Sequence, residues 1–280
     1  MKNPRVSIVL ATYNRAHFLG AAIQSVQKQT FQDWELIVSD DASTDNTLEI
    51  VKEIQENEPR IRYRKNEKNL GISRNYNAAI RAARGEYIAM IDDDDPWVGS
   101  EKLSRQVSFF EENGDYVGVG GGMIVVDRSG KELFRYFKPE TDGQIRKSMF
   151  FSNPMANSAT LFRKNAALQA GLYDEEIEHG ADRDFWLRMG RIGKLYNFPD
   201  HFAYYTISGQ NSLFKSQRIV LRCVIRFLRK YRQYYPRYSY GIIFTYGVYL
   251  YSSLPQWFHA FTDVPLFFVK RLVFDRIRKR

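Results

Sequence analysis

Hydrophobic residues alternate between two spacings along the first hundred positions of the chain. Short apolar runs rich in valine and isoleucine predict β-strands at residues 6–10, 34–38, 61–63 and 87–91. Between these runs, apolar residues at helical spacing predict helices at residues 18–26, 47–54 and 72–83. This β-α-β-α-β-α-β order predicts an α/β fold with a mostly parallel, twisted sheet and helices on both faces.

The pattern continues with a helix after residue 101 and a glycine-rich strand at residues 116–126. The stretch from Gly118 to Gly122 is similar to a dinucleotide-binding fingerprint, but Met123 stands where the third required glycine would be. We therefore interpret these glycines as positions where another part of the chain approaches the strand backbone closely.

Polar residues follow three of the predicted strands. Residues 12–15 (Thr-Tyr-Asn-Arg) follow the first, Asp40 and Asp41 follow the second, and four consecutive aspartates at 92–95 follow the fourth. Because ligands of parallel α/β sheets bind at the carboxyl ends of the strands, we expect these residues to converge on one crevice. The alternative is that they form only solvated turns.

Composition excludes several classes of protein. The chain has 280 residues, of which 44% are hydrophobic and 15% aromatic, so it is long and apolar enough to fold around a core. Its single cysteine, Cys223, excludes a disulfide framework within the chain and a cysteine-based zinc site. The first residues lack a signal-peptide pattern, and we expect the α/β part to stay in the cytoplasm.

Charge divides the chain into two parts. Residues 215–280 contain 14 Lys+Arg and 2 Asp+Glu, whereas residues 1–214 contain 27 and 30. We predict an α/β domain over residues 1–214 and a basic helical appendage over residues 215–280. The asymmetry indicates an anionic partner for the appendage, either membrane phospholipid or nucleic acid.

Four stretches together resemble the family 2 glycosyltransferases, which have the Rossmann-like GT-A fold. They are SIVLATYNR at 7–15, QTFQDWELIVSDDASTDNT at 29–47, NLGISRNYNAAIRAARGEYIAMIDDDD at 69–95 and GLYDEEIEHGADRDFWLRM at 171–189. They occur in the family's order and spacing, and the resemblance covers residues 5–212. It implies an inverting glycosyltransferase that uses a nucleotide-diphosphate sugar as donor.

The resemblance also implies how the donor would be held. Asp41 would accept a hydrogen bond from the ring N–H of the base, which favours uridine and leaves guanosine and thymidine open. Tyr13 would stack on the base, and the backbone of Ala11 would approach it. Arg15 and Arg74 are candidate diphosphate contacts, although Arg74 could equally form a surface salt bridge.

The four aspartates match the family's D-x-D-D pattern and imply a divalent cation, Mn²⁺ or Mg²⁺, that neutralises the diphosphate leaving group. Hard cations prefer carboxylate oxygens, and adjacent carboxylates repel one another without a cation. We expect Asp94 to be the direct metal ligand, Asp92 to reach the ribose or the metal, and Asp93 to belong to the donor site. Asp95 is the alternative ligand.

The family's catalytic base lies in a Glu-Asp pair before an aromatic helix. Here Asp182 matches the aspartate, and Ala181 replaces the glutamate. Asp182 would take the proton of the acceptor hydroxyl, and one base without a second nucleophilic carboxylate implies a single displacement with inversion. The alternative is that Asp182, or Asp184 beside it, is only a helix N-cap.

Two further features depart from relatives. Within residues 205–211, Ser208 stands about where relatives often carry a histidine. We expect the Gly-Gln-Asn-Ser stretch at residues 209–212 to form a loop able to close over the donor. The sequence contains no Gln-x-x-Arg-Trp motif, which processive polysaccharide synthases of the family use. This indicates transfer of one sugar per encounter.

Three interpretations compete for the appendage. Residues 217–231 place Arg218, Arg222, Arg226 and Arg229 on one helical stripe, and residues 238–262 are uncharged and rich in aromatics. A membrane span is interrupted by glycine, serine and proline, and a helical appendage packed on the domain is the second possibility. We favour basic amphipathic helices in an anionic membrane interface, and no nucleic acid is expected as partner.

These expectations combine into a peripheral enzyme at the inner face of the cell membrane, acting on a glycan or lipid-linked acceptor in polysaccharide synthesis. A catalytically silent nucleotide-sugar-binding or membrane scaffold protein is the alternative, because Ala181 and Ser208 depart from the family. A nucleotidyltransferase is a weaker rival, since it would need a glycine-rich, lysine-bearing loop near the N-terminus.

Overall fold

The computed structural model describes residues 3–177, 179–207 and 217–251 of the chain. The strands in these ranges are β1 (Val6–Thr12), β2 (Trp34–Asp40), β3 (Ile61–Lys65), β4 (Tyr87–Asp92), β5 (Tyr116–Val126), β6 (Glu132–Tyr136), β7 (Leu161–Arg163) and β8 (Lys194–Thr206). The α-helices are α1 (Ala16–Gln27), α2 (Thr47–Asn57), α3 (Ile72–Ala82), α4 (Lys102–Glu112), α5 (Asp142–Ser148), α6 (Lys164–Ala170), α7 (Ala181–Met189), α8 (Gln217–Lys230) and α9 (Tyr238–Tyr251).

The strands form one mixed sheet in the order β3-β2-β1-β4-β7-β5-β6, with β8 paired to β5. The first four strands in this order are parallel, β7 runs antiparallel between β4 and β5, and β8 runs parallel to β5. The predicted α/β fold with a mostly parallel sheet is therefore confirmed. In the register of this sheet, Thr12 lies beside Asp40, and Ala11 lies beside Asp92.

A hydrophobic core covers each face of the sheet. Val9 of β1 points into one core together with α3 and α7, whereas Ile8 and Leu10 point into the other together with α1 and α4. Successive side chains of a strand alternate between its faces, so a strand that is apolar throughout must be covered on both sides. This confirms the prediction of helices on both faces.

The glycines of β5 permit close packing, as predicted. A Cβ atom added at Gly118 would lie 2.7 Å from Cζ3 of Trp186, and one added at Gly120 would lie 2.5 Å from Oδ1 of Asn197. Neither distance is compatible with a side chain unless the neighbouring atoms move. The glycines therefore let β8 and helix α7 pack directly against the strand.

The described part of the appendage packs on the α/β domain. Val224 and Leu228 of α8, with Tyr231 and Tyr235 after it, are buried in the same core as α7. The Tyr231 hydroxyl donates a 2.8 Å hydrogen bond to Asp184, which lies on α7 and is fully buried. Residues 217–251 thus match the packed-appendage interpretation, because the apolar residues of α8 complete a protein core. Contact between the exposed arginines of α8 and a membrane stays a prediction.

No helix within the described ranges is long and apolar enough to cross a membrane. The predicted boundary at residues 214 and 215 falls outside the described residues and stays a prediction. Residues 252–280, which carry the basic C-terminal end, also lie outside them.

Replacing Tyr231 by phenylalanine removes the hydroxyl that donates to the buried Asp184 carboxylate. We expect Tyr231→Phe to lower the free energy of unfolding by about 1–3 kcal/mol, because a buried acceptor loses a partner. The matched control is Tyr234→Phe at an exposed ring nearby, which should change it by less than about 0.5 kcal/mol. Urea denaturation of both variants measures the difference, and equal losses would contradict the packing described here.

Candidate active site

The carboxyl ends of β2, β1 and β4 lie side by side, and their polar residues meet. The backbone N–H of Asp41 donates to the carbonyl oxygen of Thr12 at 3.0 Å, which joins the ends of β2 and β1. The Thr12 hydroxyl donates to Asp93 at 2.8 Å, which joins β1 to the residues after β4. The convergence of these strand ends expected from the sequence is therefore present, and the alternative of separate solvated turns is wrong.

Two of the four aspartates are held by a segment that follows β6 and α5 in the chain. Asp92 accepts hydrogen bonds from the Tyr76 hydroxyl of α3 and from the Ser158 hydroxyl, the latter at 3.0 Å. Asp95 accepts from the same Ser158 hydroxyl at 3.0 Å and from the backbone N–H of Thr206 at 3.2 Å. Both carboxylate oxygens of Asp95 are thus engaged by the protein, which favours a structural role for this residue.

Arg15 supplies positive charge to the other two aspartates. One guanidinium nitrogen lies 3.2 Å from Asp93, and another forms a close ion pair with Asp94. The Nε atom of Arg15 is buried and has no hydrogen-bond partner. Arg15 was expected at the diphosphate; the structure pairs it with Asp93 and Asp94, and its contact with the diphosphate stays a prediction.

Burial and mutual repulsion control the protonation of the cluster. Burial raises the pKa of Asp93 to about 7, with Arg15 opposing the shift and Asp94 adding to it. Burial likewise raises the pKa of Asp92, and it raises that of Asp95 well above the ordinary value, with neighbouring carboxylates contributing to both shifts. Because burial and like charges make the ionised form of these carboxyl groups unfavourable, a nearby cation would stabilise it.

The donor set fits a hard divalent cation. Within the described ranges, no three acidic, histidine or cysteine side chains group as a complete cation cage. Mg²⁺ is commonly bound by one or two carboxylates together with substrate phosphate oxygens. Asp92 and Asp94 offer such a pair, and Asp94 is preferable to Asp95 because, among the described residues, no backbone N–H or hydroxyl donates to it.

The predicted base-binding residues lie at the same strand ends as the aspartates. Tyr13 follows β1 with its ring 45% exposed, and Ala11 is a buried residue of β1. Asp41 accepts from the amide of Asn66 at 2.7 Å and from the backbone N–H groups of Leu70 and Gly71, both at 2.9 Å. This carboxylate therefore anchors the turn that leads into α3.

Arg74 makes the salt bridge that was its alternative role. Its Nε lies 3.3 Å from Glu175, and a terminal nitrogen lies 3.9 Å from Glu176. The arginine side chain is half exposed, so the pair adds little stability. The structure thus does not bring Arg74 to the aspartates, and its contact with the diphosphate stays a prediction.

Asp182 lies in the first turn of α7, opposite the aspartates. The N-cap of this helix is Gly180, in a left-handed conformation, so the alternative that Asp182 is the N-cap is wrong. Asp182 accepts from the backbone N–H of Arg183 at 2.8 Å and from the Asn153 amide at 2.6 Å, and it remains partly exposed. Asp184 does not cap the helix either, because it pairs with Arg188 at 2.7 Å.

Burial raises the pKa of Asp182. Its backbone hydrogen bond with Arg183 and the positive charges of Lys138 and Arg183 act in the opposite direction. A carboxyl group with a raised pKa that is still reachable from solvent is suited to accept a proton near neutral pH.

Sequence reasoning missed the residues that connect the two acidic centres. The structure brings Asn153 to Asp182, and Asn157 and Ser158 to Asp92. The signal available for Tyr76 was its polar hydroxyl on the buried face of α3, whereas no local pattern indicated Lys138. Ser208 lies outside the described residues.

Comparison with known proteins identifies the class. The sequence model of Glycosyl transferase family 2 matches residues 7–168, more than half of the chain. The chain belongs to this family and is a glycosyltransferase.

Two relatives illustrate the likeness. The uncharacterized glycosyltransferase MJ1057 of Methanocaldococcus jannaschii is 34% identical over 201 residues, which are 71% of this chain and 68% of the relative. A Campylobacter jejuni protein named GalNAc(5)-diNAcBac-PP-undecaprenol beta-1,3-glucosyltransferase is 30% identical over 220 residues, 75% of this chain and 67% of that protein.

Solved structures share the fold. TarS of S. aureus, in complex with UDP-GlcNAc, superposes with a TM-score of 0.67 at 20% identity, covering 85% of this chain and 69% of TarS. The mannosyltransferase PcManGT of Pyrobaculum calidifontis, in complex with GDP-Man and Mn²⁺, has a TM-score of 0.65 at 16% identity, covering 95% of this chain and 81% of PcManGT. The predicted GT-A fold is thereby confirmed.

The raised pKa of Asp93 predicts how stability depends on pH. In the unfolded chain this carboxyl has a pKa of about 4, and in the folded protein its pKa is about 7. Its contribution to stability is therefore fully present when the pH is below the pKa of the unfolded chain. This contribution is lost as the pH rises through the pKa of the folded protein. With chelator present, we expect the melting temperature to fall from pH 5 to pH 8, and to fall less in Asp93→Asn.

Thermal denaturation across this pH range measures both slopes. Asp127→Asn, at an exposed residue after β5, is the matched control and should keep the parent slope. Parallel curves for the parent and Asp93→Asn would contradict the burial of an ionisable Asp93.

Proposed function

We propose that this glycosyltransferase moves a sugar from a nucleotide-diphosphate sugar, UDP-sugar being favoured, to a hydroxyl of a glycan or lipid-linked acceptor at a membrane. The reaction is a single displacement that inverts the anomeric centre. The observation that carries the proposal is that one short segment of the chain joins two separate acidic centres. Residues 153–158 contact both centres, Asp92 after β4 and Asp182 on α7.

The donor would lie along the ends of β1 and β2. The exposed ring of Tyr13 offers a stacking surface, and the backbone of Ala11 lies beside it. Asp41 uses three of its roughly four acceptor positions within the protein, which leaves room for the ring N–H of a uracil. TarS is described with UDP-GlcNAc and PcManGT with GDP-Man, so guanosine stays an alternative base.

Asp92 and Asp94 would hold a divalent cation beside the diphosphate, with Asp93 in the surrounding donor site and Asp95 as the alternative ligand. The Mn²⁺ described with PcManGT supports this choice. When bound, the cation would act as a Lewis acid on the departing phosphate. Arg15, which already neutralises Asp93 and Asp94, would contact the diphosphate oxygens from the same position, and Arg74 would have to leave its glutamates to reach them.

Asp182 would act as the general base. It accepts the proton of the acceptor hydroxyl, and the hydroxyl oxygen forms a bond to the anomeric carbon. The bond from that carbon to the diphosphate oxygen breaks on the opposite face, and the electron pair leaves with the diphosphate. The partial exposure of Asp182 leaves a path for the acceptor, and its raised pKa matches the task.

Two surface features support a membrane-borne acceptor. Arg222, Arg226 and Arg229 of α8 are exposed, and beside them α9 exposes Ile243 (69%) and Leu250 (65%). We call these five residues the basic-apolar face. Its two helices are joined where Arg229 donates to the Tyr246 hydroxyl at 2.8 Å. The Campylobacter relative is named for an undecaprenol diphosphate acceptor, which supports a peripheral position at the inner face of the cell membrane.

A nucleotide-binding screen tests the donor site. UDP, GDP, dTDP and CMP are each added with and without Mn²⁺, and the melting temperature is recorded, because a ligand of the folded state raises it. We expect a metal-dependent rise with UDP. No rise with any nucleotide would contradict the proposal, and binding without turnover of the matching sugar would favour the silent scaffold protein.

Two substitutions separate the proposed roles. Asp182→Asn should reduce turnover by about 10²-fold or more while leaving donor binding nearly intact, because only proton transfer is lost. Asp94→Ala should weaken donor binding in Mn²⁺ as well. Normal turnover of Asp182→Asn would show that another residue is the base. Parent-like donor binding by Asp94→Ala would indicate that Asp95 is the metal ligand.

Flotation with vesicles tests the basic-apolar face. We expect the parent protein to bind phosphatidylglycerol vesicles more tightly than neutral ones, and Arg226→Glu with Arg229→Glu to weaken this binding at least about tenfold. Ile243→Asp should also weaken it, whereas Leu133→Asp, at an exposed leucine of β6, is the control. Unchanged binding in both the double arginine variant and Ile243→Asp would contradict membrane contact through this face.

A further inference from the structure

Two residues outside the four family-like stretches lie behind the proposed base. We propose that Lys138 and Asn153 are positioning residues for catalysis: Asn153 fixes the Asp182 carboxylate, and Lys138 fixes Asn153 and keeps that carboxylate ionised. This inference rests on the proposed function, because it assigns roles relative to the base.

The contacts form a continuous chain. The ammonium group of Lys138 donates to the backbone carbonyl oxygen of Asn153 at 3.0 Å. The side-chain amide of Asn153 donates to Oδ2 of Asp182 at 2.6 Å. Oδ1 of Asp182 accepts from the backbone N–H of Arg183, so both carboxylate oxygens are oriented by the protein. A base with both oxygens fixed has less freedom to turn away from the acceptor hydroxyl.

The two segments that meet here are also joined by the buried Asn197, whose amide donates to the carbonyl oxygens of Pro139 at 2.7 Å and Pro154 at 3.1 Å. Lys138 follows β6, and its ammonium also lies 5.1 Å from the centre of the Tyr136 ring. Asn153 precedes the segment that holds Asp92, and its own side-chain oxygen accepts from the backbone N–H of Met155 at 3.3 Å. The amide of Asn153 is thereby oriented with its nitrogen toward Asp182.

Four ionisable or charged groups face Asp182. They are Lys138 after β6, Arg183 on α7, Asp92 after β4 and Tyr173 before α7. Lys138 and Arg183 oppose the rise in the pKa of Asp182, whereas Asp92 is a like charge. Burial lowers the pKa of Lys138 to about 8, and the charge of Asp182 opposes that shift. Lys138 is therefore protonated at neutral pH and lies close to the point of losing its charge.

Removing the charge of Lys138 should change the pKa of Asp182 in one direction only. Without the ammonium, the ionised form of Asp182 loses a favourable partner, and its pKa rises. The acidic limb of the pH profile of kcat/KM must then move to higher pH. A residue that only supports the fold would lower activity without moving this limb.

The test compares Lys138→Met, Lys138→Arg and Asn153→Ala in saturating Mn²⁺ between pH 5 and pH 8. The reaction is hydrolysis of the nucleoside-diphosphate sugar whose nucleoside diphosphate raises the melting temperature, with water in place of the acceptor. We expect Lys138→Met to move the acidic limb upward by about one pH unit. Lys138→Arg should keep the parent limb, and Asn153→Ala should move it upward and lower kcat about tenfold.

Donor affinity and a surface control complete the design. The dissociation constant for the nucleoside diphosphate should change less than about twofold in each variant, since none of the three touches the donor site. Lys131→Met, in the exposed turn before β6, should match the parent throughout. If Lys138→Met does not fold, the acidic limb of the kcat/KM profile of Asn153→Ala tests the proposal instead.

An unmoved acidic limb in folded Lys138→Met and Asn153→Ala, or a loss of donor affinity equal to the loss of kcat, would overturn the proposal. Asp182→Asn separates this failure from failure of the proposed function. If Asp182→Asn retains turnover, the base is elsewhere and the function as proposed is wrong. If it is inactive while Lys138→Met keeps the parent limb, only the positioning role is lost.

Discussion

The crowding of four adjacent carboxyl groups at the end of β4, three of them buried and Asp92 partly so, is the constraint on which the rest of the structure depends. Like charges in a poorly solvated place are unfavourable unless donors and cations surround them. The fold supplies them from elements far apart in the chain: Thr12 at the end of β1, Arg15 after it, Tyr76 of α3, Ser158 of the short 3₁₀ helix Asn157–Ala159 and Thr206 of β8. The sheet order is what brings these groups to one point.

The antiparallel strand β7 has a comparable importance for the second acidic centre. It separates β3-β2-β1-β4, the half of the sheet that carries the four aspartates, from β5 and its neighbours. The chain that leads into β7 contacts both acidic centres, first Asp182 through Asn153 and then Asp92 through Ser158. One short segment therefore sets the relative position of the proposed base and of the proposed leaving-group site. Displacement chemistry depends on that spacing, because the attacking oxygen and the leaving oxygen must lie on opposite faces of one carbon.

The first half of the sheet could be predicted from sequence because its signals are local. Strands β1, β2 and β4 are apolar throughout, and each ends at residues whose charge stands out, Arg15, Asp41 and the aspartates after β4. Parallel topology then brings those ends together without further information.

The remaining contacts depend on tertiary structure. Lys138 reaches Asn153, and Tyr231 reaches Asp184, across long stretches of chain. The same limit applies to α8. Its sequence is amphipathic, but periodicity does not reveal whether an apolar face meets lipid or protein. In the folded domain, Val224 and Leu228 of α8 pack into a protein core while its arginines stay exposed.

The glycines of β5 affect how sequence variation among members of this family should be interpreted. At Gly118 and Gly120 the neighbouring Trp186 and Asn197 occupy the space of any side chain. Selection for folding alone would remove nearly every substitution there, as strongly as selection for activity removes changes at a catalytic residue. A mutational scan scored by survival would mark this strand as if it bound a ligand, whereas its intolerance is steric and lies in a packed interior.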